Sequence, residues 1–392
     1  MRTQVAIIGA GPAGLLLSQL LSRAGIDCIV LEQRDQAYVE SRIRAGLLER
    51  FTVELLGRAG VDARLQREAL VHDGFSLAFN GAPLRIDLRG LAGASVVIYG
   101  QSEVTRDLIA AAGERGVPVV FEAADVALHG ISGADPFVTY RRDGEELRVD
   151  CEFVAGCDGF HGVSRQSIPP ASRREFERVY PFGWLGILAD VPPCSDELLY
   201  AHHERGFALA TMRSRVRSRY YVQCALDDTP DDWPDARVWD ELEARLGPAA
   251  AGAITRGPSI EKSIAPLRSF VAEPLRYGRL FLAGDAAHIV PPTGAKGLNL
   301  AAADVHFLSE ALARWYRDGD ADALDRYSGR ALARVWKAER FSWWFTGLTH
   351  RFDEADAFSR RLQEAELDYL AASRAAQAAL AENYVGLPID GV

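Results

Sequence analysis

The chain has 392 residues, of which 48% are hydrophobic and 25% charged, and its formal net charge at pH 7 is −10. This length allows two domains that each bury a core, and the even spread of charge argues against extended disorder. Phosphate backbones are held mainly by clustered lysines and arginines, so an acidic chain of this kind is not expected to bind nucleic acid.

The N-terminus and the cysteines bear on the cellular compartment of the protein. The apolar run from Val5 to Gly9 is too short for a signal peptide or a membrane span, so we expect a cytoplasmic protein without membrane contact. The five cysteines form neither a C-x-x-C pair nor a spacing typical of metal sites. We therefore expect core cysteines in a reducing compartment and no bound metal.

The first predicted elements are a strand, a glycine-rich turn and a helix. Residues 3–8 are predicted to form a strand, because residues 5–8 are a continuous apolar run typical of a buried parallel strand. Gly9, Gly11 and Gly14 follow in a G-x-G-x-x-G pattern, and leucines at helical spacing come next. The first glycine permits a tight turn, the second lets the backbone approach a pyrophosphate, and the third lets the helix pack closely on the strand.

A second strand and an acidic residue extend this pattern. The predicted strand Cys28 to Leu31 ends at Glu32, at the spacing expected for a carboxylate that binds a ribose hydroxyl. Together these features predict a Rossmann-type dinucleotide site, and an ordinary glycine turn is the weaker alternative. The pattern does not distinguish FAD from NAD, so an NAD-dependent dehydrogenase is also an alternative at this point.

Two further motifs lie downstream. A predicted strand at 279–283 is followed by residues 284–288, with the sequence GDAAH, and by residues 291–299, with the sequence PPTGAKGLN. Residues 156–159 have the sequence GCDG. Taken alone, the GDAAH segment is also compatible with a helix that has Asp285 as its N-cap, and the GCDG segment with an ordinary turn.

The order of these motifs resembles that of FAD-dependent aromatic hydroxylases. The similarity covers nearly the whole chain and is concentrated in segments 180–185, 213–223, 261–269, 278–299, 336–344 and 381–388. The resemblance implies an α/β fold with an α+β substrate part: a Rossmann-type FAD-binding domain, a substrate domain with a β-sheet, and a helical C-terminal part in a homodimer. The implied bounds are 1–72, 97–180 and 268–350 for the FAD-binding domain, 73–96 and 181–267 for the substrate domain, and 351–392 for a C-terminal helical and interface segment.

The resemblance also implies a set of cofactor residues. Asp285 is expected at the FAD ribityl chain, and the motif of Asp158 is associated with both FAD and NAD(P)H. Lys296 and Arg219 are expected to tune the charge of the flavin, and the helix that follows residue 296 to stabilise reduced flavin through its N-terminus. The remaining positions implied are Gly9, Gly11, Gly14, Glu32, Arg42, Arg44, Gln101, Leu298 and Asn299.

The sequence contains no second G-x-G-x-x-G, so the nicotinamide cofactor has no recognisable Rossmann site of its own. After the second strand, charges that would attract a 2′-phosphate are interleaved with charges that oppose it, namely Arg34, Arg42 and Arg44 against Asp35 and Glu40. Tyr38 matches the family. We expect NADPH, with NADH as the alternative.

At the carboxylate end of the substrate, Arg213 matches the arginine that grips a carboxylate with its planar guanidinium. Tyr221 would add a second donor. Position 211 is Thr where family members carry Ser, and position 47 is Leu where Val is familiar, so we expect an effect on fine substrate preference. Without the resemblance, residues 213–219 would be interpreted as a solvated basic stretch.

At the phenol end, Tyr200 matches the tyrosine that hydrogen-bonds the substrate hydroxyl. Tyr384 and His72 match the next members of a proton relay, and a lone tyrosine or histidine would otherwise be interpreted as a core residue. Pro292 is expected beside the reacting edge of the ring, with Thr293 next to it.

The implied reaction converts 4-hydroxybenzoate into 3,4-dihydroxybenzoate with NAD(P)H and O2 through a flavin C4a-hydroperoxide. Because a phenolate attacks such an electrophile better than a phenol does, the chemistry calls for a proton relay. The alternatives are a hydroxylase of 3-hydroxybenzoate or 3,4-dihydroxybenzoate, and a flavin-binding reductase without oxygenase chemistry.

Overall fold

A computed structural model describes residues 1–42, 46–79 and 82–389. Its strands in chain order are β1 (Val5–Ile8), β2 (Cys28–Leu31), β3 (Leu47–Leu48), β4 (Leu70–His72), β5 (Gly74–Phe79), β6 (Ala82–Asp87), β7 (Val96–Ile98), β8 (Val119–Val120), β9 (Ala124–His129), β10 (Phe137–Arg142), β11 (Glu145–Asp150), β12 (Phe153–Gly156), β13 (Arg174–Ala189), β14 (Leu198–Ala201), β15 (Ala208–Ser214), β16 (Arg217–Cys224), β17 (Ser259–Glu273), β18 (Arg276–Tyr277), β19 (Leu280–Leu282) and β20 (His288–Ile289).

The α-helices are α1 (Pro12–Arg23), α2 (Gln36–Ser41), α3 (Arg50–Ala59), α4 (Ala63–Glu68), α5 (Leu88–Ala92), α6 (Gln101–Arg115), α7 (Val163–Gln166), α8 (Asp235–Leu246), α9 (Pro248–Ala251), α10 (Gly297–Asp318), α11 (Ala321–Thr349), α12 (Ala357–Ala372) and α13 (Arg374–Val385). Short 3-10 turns cover Pro170–Ser172, Pro230–Asp232 and Gly284–Ala286.

A six-stranded sheet with the order β18-β19-β12-β1-β2-β8 forms the core of the nucleotide region. Its strands are parallel except β18, which pairs antiparallel with β19. Helices α1, α6 and α10 share one hydrophobic core with this sheet, which explains the continuous apolar runs in β1 and β2. The bounds of β2 are those predicted, whereas β1 begins two residues later and β19 is one residue shorter at each end.

A second sheet has eight strands in the order β20-β17-β13-β16-β15-β14-β5-β6 and is mostly antiparallel. One face packs against α8 through residues such as Trp239 and Leu242, and the other packs against α11, α12 and α13. Strands β13 and β17 pass through the predicted domain boundaries at 180 and 268. With these boundaries, each of the two long strands would belong partly to one domain and partly to the other. The division into domains stays a prediction.

The predicted fold class is confirmed: a parallel α/β sheet, a second β-sheet and a helical C-terminal part. The five cysteines have free thiols, four of them buried and Cys194 partly exposed. Within residues 1–42, 46–79 and 82–389, no helix is both long and apolar enough to cross a membrane. The same residues contain no group of three or more His, Cys, Asp and Glu side chains that could hold a metal ion.

Candidate active site

The nucleotide motifs meet at one edge of the six-stranded sheet. Because β1, β2, β12 and β19 are parallel, their carboxyl ends lie at the same edge. Gly9 follows β1, Glu32 follows β2, Asp158 comes two residues after β12, and Asp285 comes three residues after β19. Open α/β sheets bind their ligands outside this edge, so the topology brings four separate segments to a nucleotide site.

The glycine turn has the geometry that a pyrophosphate requires. Gly9 has φ +102°, and a Cβ there would lie 2.4 Å from the Cys157 carbonyl oxygen. A Cβ on Gly14 would lie 2.0 Å from the Gly9 carbonyl oxygen, so α1 packs against the turn without a side chain. A Cβ on Gly11, the N-cap of α1, would meet nothing within 4 Å. The open space at this helix N-terminus fits the phosphates of FAD.

Two carboxylates at this edge are held by backbone amides. Glu32 accepts hydrogen bonds from the N–H groups of Ala10 (2.8 Å) and Arg34 (2.9 Å), which places it over the glycine turn. Asp158 accepts from Ser164 N–H at 2.9 Å, and burial raises the pKa of its carboxyl group. Its other oxygen is buried without a partner among the described residues. These contacts are compatible with the predicted cofactor roles of both residues.

Asp285 is exposed on the 3-10 turn Gly284–Ala286. It is not a helix N-cap, since the next helix begins at Gly297 with Lys296 in the N-cap position. The alternative interpretation of GDAAH as a simple helix cap is therefore wrong. The turn presents Asp285 at the same edge as the glycine turn, where a ribityl chain would lie.

The segment 291–299 connects the nucleotide edge to the second sheet. Pro292 is exposed, and its carbonyl accepts the Ala295 N–H at 2.9 Å. Ala295 has φ +52°, a left-handed conformation unusual for a residue with a side chain. Thr293 is fully buried and accepts a hydrogen bond from the Thr346 hydroxyl at 3.0 Å. Helix α11 thus fixes the loop in which Pro292 lies.

Lys296 is paired with a buried acid that the sequence did not single out. Its ammonium donates to Glu49 Oε1 at 2.6 Å and to the Tyr384 carbonyl at 2.9 Å. Arg334 donates to the other Glu49 oxygen at 3.0 Å. Burial lowers the pKa of Lys296, and the charge of Glu49 opposes this effect. Any influence of Lys296 on a flavin is therefore shared with Glu49.

The Asn299 side chain makes four hydrogen bonds within the protein. Its oxygen accepts from Glu49 N–H (2.8 Å) and the Thr52 hydroxyl (2.7 Å), and its amide donates to the carbonyls of Leu47 (3.1 Å) and Ala295 (2.9 Å). An asparagine amide has two donor hydrogens and two acceptor lone pairs, so no bonding capacity remains. The side chain fastens α10 to β3 and α3, and a flavin contact would involve the backbone.

The other predicted cofactor positions lie around the same region. Leu298 is partly buried in α10, Gln101 is the first residue of α6 and is partly exposed, and Arg42 is the exposed C-cap of α2. Arg44 lies outside the described residues.

Three of the predicted substrate residues, Tyr200, Thr211 and Tyr221, share one face of the eight-stranded sheet. Tyr200 on β14 is opposite Leu209 on β15, which is opposite Tyr221 on β16. In the next row, Thr211 is opposite Arg219. Cross-strand partners point to the same face. Two strand spacings separate the backbones at Tyr200 and Tyr221 by roughly 10 Å. This distance suits a small aromatic ring with polar groups at both ends.

Two arginines lie beside Tyr221 on this face. The Arg219 guanidinium lies 5.2 Å from the centre of the Tyr221 ring and donates to Glu261 at 3.0 Å. Burial lowers the pKa of Arg213, the Tyr221 hydroxyl beside it opposes this effect, and the nearby Arg219 charge adds to it. A Cβ on Gly186 would lie 2.6 Å from an Arg219 nitrogen, so this glycine gives the guanidinium its space. A bound carboxylate would stabilise the charged form of Arg213.

Tyr200 and Tyr384 are in direct contact although 184 residues separate them in sequence. Their hydroxyl oxygens are 2.9 Å apart, and both rings are almost fully buried. Phe75 stacks on Tyr384 at 4.1 Å and touches Tyr200 edge-on at 5.6 Å. Burial raises the pKa of both tyrosines, so both hydroxyls stay protonated near neutral pH. The pair can pass a proton between hydroxyls without a charged tyrosine at rest.

His72 is buried on β4, and neither ring nitrogen has a hydrogen-bond partner in the described part of the chain. Among the described residues, His72 therefore makes no direct hydrogen bond to Tyr384. Burial lowers the pKa of His72, while Glu197 and Asp196 oppose this effect.

Comparison with known proteins places the chain in a family of flavoproteins. The model of the FAD binding domain family matches residues 2–342, so the chain belongs to this family and binds FAD. A p-hydroxybenzoate hydroxylase from Acinetobacter baylyi is 55% identical over 391 residues, which cover 100% of this chain and 96% of the relative. A rifampicin monooxygenase from Streptomyces venezuelae is 28% identical over 86% of this chain and 67% of its own length.

The fold also matches solved structures. A p-nitrophenol 4-monooxygenase from Pseudomonas putida superposes with a TM-score of 0.85 over 100% of both chains, at 18% identity. At this identity the match supports the fold alone.

The structure adds residues that the sequence did not single out. Glu49, Thr346 and Asp304 are all buried and hydrogen-bonded to segments that carry predicted site residues. None lies in a recognisable motif, and the sequence separations from their partners are 247 residues for Glu49, 53 for Thr346 and 20 for Asp304.

Proposed function

We propose that this protein hydroxylates 4-hydroxybenzoate to 3,4-dihydroxybenzoate, using FAD, NAD(P)H and O2. The observation that carries the proposal is the arrangement of one sheet face in a chain 55% identical to a p-hydroxybenzoate hydroxylase. Arg213 and Tyr221 lie at one end of this face, and the Tyr200–Tyr384 hydroxyl pair lies at the other. Their separation matches a ring with a carboxylate and a phenol in para positions.

The two ends of the face have different tasks. Arg213 and Tyr221 bind the carboxylate with charge-assisted and neutral hydrogen bonds, which set the orientation of the ring. Tyr200 hydrogen-bonds the phenol, and its contact with Tyr384 gives the phenol proton a path away from the ring. Bound FAD, once reduced by NAD(P)H, would activate O2 so that one oxygen atom is transferred to the ring and the other leaves as water. Loss of the phenol proton leaves a phenolate, which donates electron density to the neighbouring ring carbon. The oxygen atom is added at that carbon.

His72 would receive the proton at the end of this path. Because neither ring nitrogen of His72 is hydrogen-bonded to Tyr384, we propose that water links the two. The buried ring nitrogens of His72, which have no partner among the described residues, suit such a link. Burial also keeps His72 neutral, which leaves one nitrogen able to accept a proton.

The test is a product balance over a small substrate panel. We expect 4-hydroxybenzoate to give one 3,4-dihydroxybenzoate per NAD(P)H oxidised, with little hydrogen peroxide. A stoichiometric product from 3-hydroxybenzoate or 3,4-dihydroxybenzoate instead would favour the alternative substrates. NAD(P)H oxidation with no hydroxylated product from any benzoate would favour a reductase.

For the nicotinamide cofactor we propose NADPH. The guanidinium groups of Arg34 and Arg42 lie 5.2 and 5.3 Å from the centre of the Tyr38 ring, so two cations flank one partly exposed aromatic side chain. This arrangement favours a ligand with an added phosphate. Measuring kcat/KM for NADPH and NADH tests it, and a clear preference for NADH would contradict it.

We also propose a homodimer formed through the C-terminal helices. Phe358, Leu362 and Tyr369 share one face of α12 and are 69%, 56% and 56% exposed. A second copy of the chain would remove this apolar face from water. Light scattering of the purified protein should give twice the monomer mass of 42.9 kDa, and Leu362→Glu should shift the measured mass towards that of one monomer.

The cytoplasmic location remains a prediction.

A further inference from the structure

One buried carboxylate connects the two ends of the GDAAH segment. Asp304 Oδ2, on α10, accepts a hydrogen bond from Gly284 N–H at 2.9 Å and lies 2.6 Å from His288 Nε2. Asp304 and His288 are each 1% exposed. Gly284 is the first residue of the segment and His288 the last, so a single oxygen atom fixes the five residues around Asp285.

The contact with Asp304 favours the protonated, charged form of His288. Burial by itself would lower the pKa of His288, but the charge of Asp304 and the hydrogen bond to it prevail, and the pKa of His288 is raised. The charges of Asp285 and Glu339 act in the same direction. Removing one member of such a pair leaves a buried charge without compensation, so the arrangement is costly to disturb.

The turn that Asp304 holds also lies close to α1, the helix that follows the glycine-rich turn. Gly284 has φ +63°, and a Cβ there would lie 3.3 Å from Ala301 of α10 and 3.4 Å from Ala13 of α1. Helix α10 therefore sets the position of the turn relative to the start of α1. This fixes Asp285 relative to the site that fits the pyrophosphate.

We propose that Asp304, paired with His288, is a positioning residue for FAD. It preorganises the Gly284–Asp285 turn so that the Asp285 carboxylate meets the cofactor without rearrangement. The competing explanation is an ion pair that stabilises the fold and nothing more. That pair would stabilise the apoprotein and the FAD complex equally, and FAD affinity would not depend on it. The proposal depends on FAD binding and not on the proposed hydroxylase activity.

The main test is the affinity of the apoprotein for FAD in Asp304→Asn. The asparagine oxygen can still reach both Gly284 N–H and His288 but carries no charge, so both hydrogen bonds weaken and the Kd for FAD should rise at least tenfold, as for the loss of a hydrogen bond to a charged group. The matched control is Glu310→Gln on the same helix, where the acid faces Arg330 and His306 away from the turn. Its Kd should equal that of the wild type.

A double-mutant cycle with Asp285→Ala separates positioning from general stability. If Asp304 acts through the turn, Asp304→Asn should change the Kd for FAD little in a chain that already lacks the Asp285 carboxylate. An equal fold-increase in both backgrounds would overturn the proposal. An unchanged Kd in the single variant, with a lower Tm of the apoprotein, would also overturn it.

A second variant covers the case in which Asp304→Asn does not fold. His288→Gln keeps an N–H donor for Asp304 but removes the positive charge. We expect a roughly threefold rise in the Kd for FAD, as for a weakened hydrogen bond, and a smaller FAD-induced increase in Tm. A wild-type Kd in this variant would contradict the role of the pair.

Discussion

At the nucleotide edge, the predicted functional groups follow the ends of parallel strands. On the substrate face they alternate along antiparallel strands. The first arrangement depends on backbone geometry. At Gly9 and Gly14, neighbouring backbone atoms lie so close that a Cβ would have no space. The second depends on side chains such as Tyr200 and Tyr221, which reach one face from separate strands.

This difference determines how each region should respond to substitution. A change at the nucleotide edge should weaken FAD binding and leave the chemistry of any bound FAD intact. A change on the substrate face should leave FAD bound and alter the fate of the substrate. The predictions below separate the two regions, beginning with the largest expected effect.

Tyr200→Phe should have the largest effect, on the substrate face. The change keeps the ring and its packing against Phe75 but removes the hydroxyl that contacts Tyr384. Loss of a positioned proton-transfer group lowers the rate of the reaction by roughly 100-fold or more. Hydroxylation should slow by that factor while 4-hydroxybenzoate still binds and still stimulates NAD(P)H oxidation. Product and hydrogen peroxide per NAD(P)H are the quantities to measure.

Tyr220→Phe is the matched control. Tyr220 is buried on the same strand as Tyr221 but packs against Trp239 on the other side of the sheet, with ring centres 5.5 Å apart. Coupling should stay at the wild-type level. A Tyr200→Phe enzyme that remains fully coupled would show that the hydroxyl pair does not activate the substrate.

Asp285→Ala should have the next largest effect, at the nucleotide edge. Loss of a hydrogen bond to a charged group is worth about 1.5 to 3 kcal/mol, which corresponds to a rise of about 10 to 150-fold in the Kd for FAD. The apoprotein should keep its Tm because Asp285 is exposed. Asp318→Ala, an exposed acid at the end of α10, serves as control. Normal flavin content after purification would remove Asp285 from the FAD site.

Acid should destabilise the substrate region through His350. The ring is fully buried, Nε2 accepts from the Trp184 indole N–H at 2.6 Å, and Nδ1 lies 3.1 Å from the Thr346 carbonyl. Burial lowers the pKa of His350 to about 3. The folded pKa of His350 lies below the unfolded value of about 6.5, so the neutral ring contributes to the free energy of unfolding. This contribution is complete above pH 6.5 and is lost as the pH falls. At pH 5 the loss is about 2 kcal/mol.

The measurement is the free energy of unfolding of the wild type minus that of His350→Gln, between pH 7 and pH 5. The difference isolates His350 from the other histidines and should shrink by about 2 kcal/mol over this range. A difference that does not change with pH would show that His350 takes up no proton on unfolding.

Arg213→Lys should have the smallest of these effects. Lysine keeps the positive charge but loses the planar arrangement of donors, so the Kd for 4-hydroxybenzoate should rise about tenfold. Arg217→Lys is a suitable control, since Arg217 is exposed and pairs with Asp190 at 2.6 Å. An unchanged Kd for 4-hydroxybenzoate in Arg213→Lys would place the carboxylate elsewhere.

The sequence by itself determined the local features of the nucleotide region. The bounds of β2 were predicted correctly, and the G-x-G-x-x-G turn lies between β1 and α1 as expected. These features depend on residues close together in the chain, through hydrophobic period and glycine conformation. The resemblance to aromatic hydroxylases supplied the substrate residues, which spacing alone did not indicate.

Only the tertiary structure decided which side chains are in contact. It paired Tyr200 with Tyr384 and Lys296 with Glu49, and it used all four hydrogen-bonding positions of Asn299 inside the protein. The two residues of each pair are 184 and 247 positions apart. Periodicity and turn chemistry describe only neighbours in the chain, whereas contacts over such separations follow from the packing of whole sheets and helices.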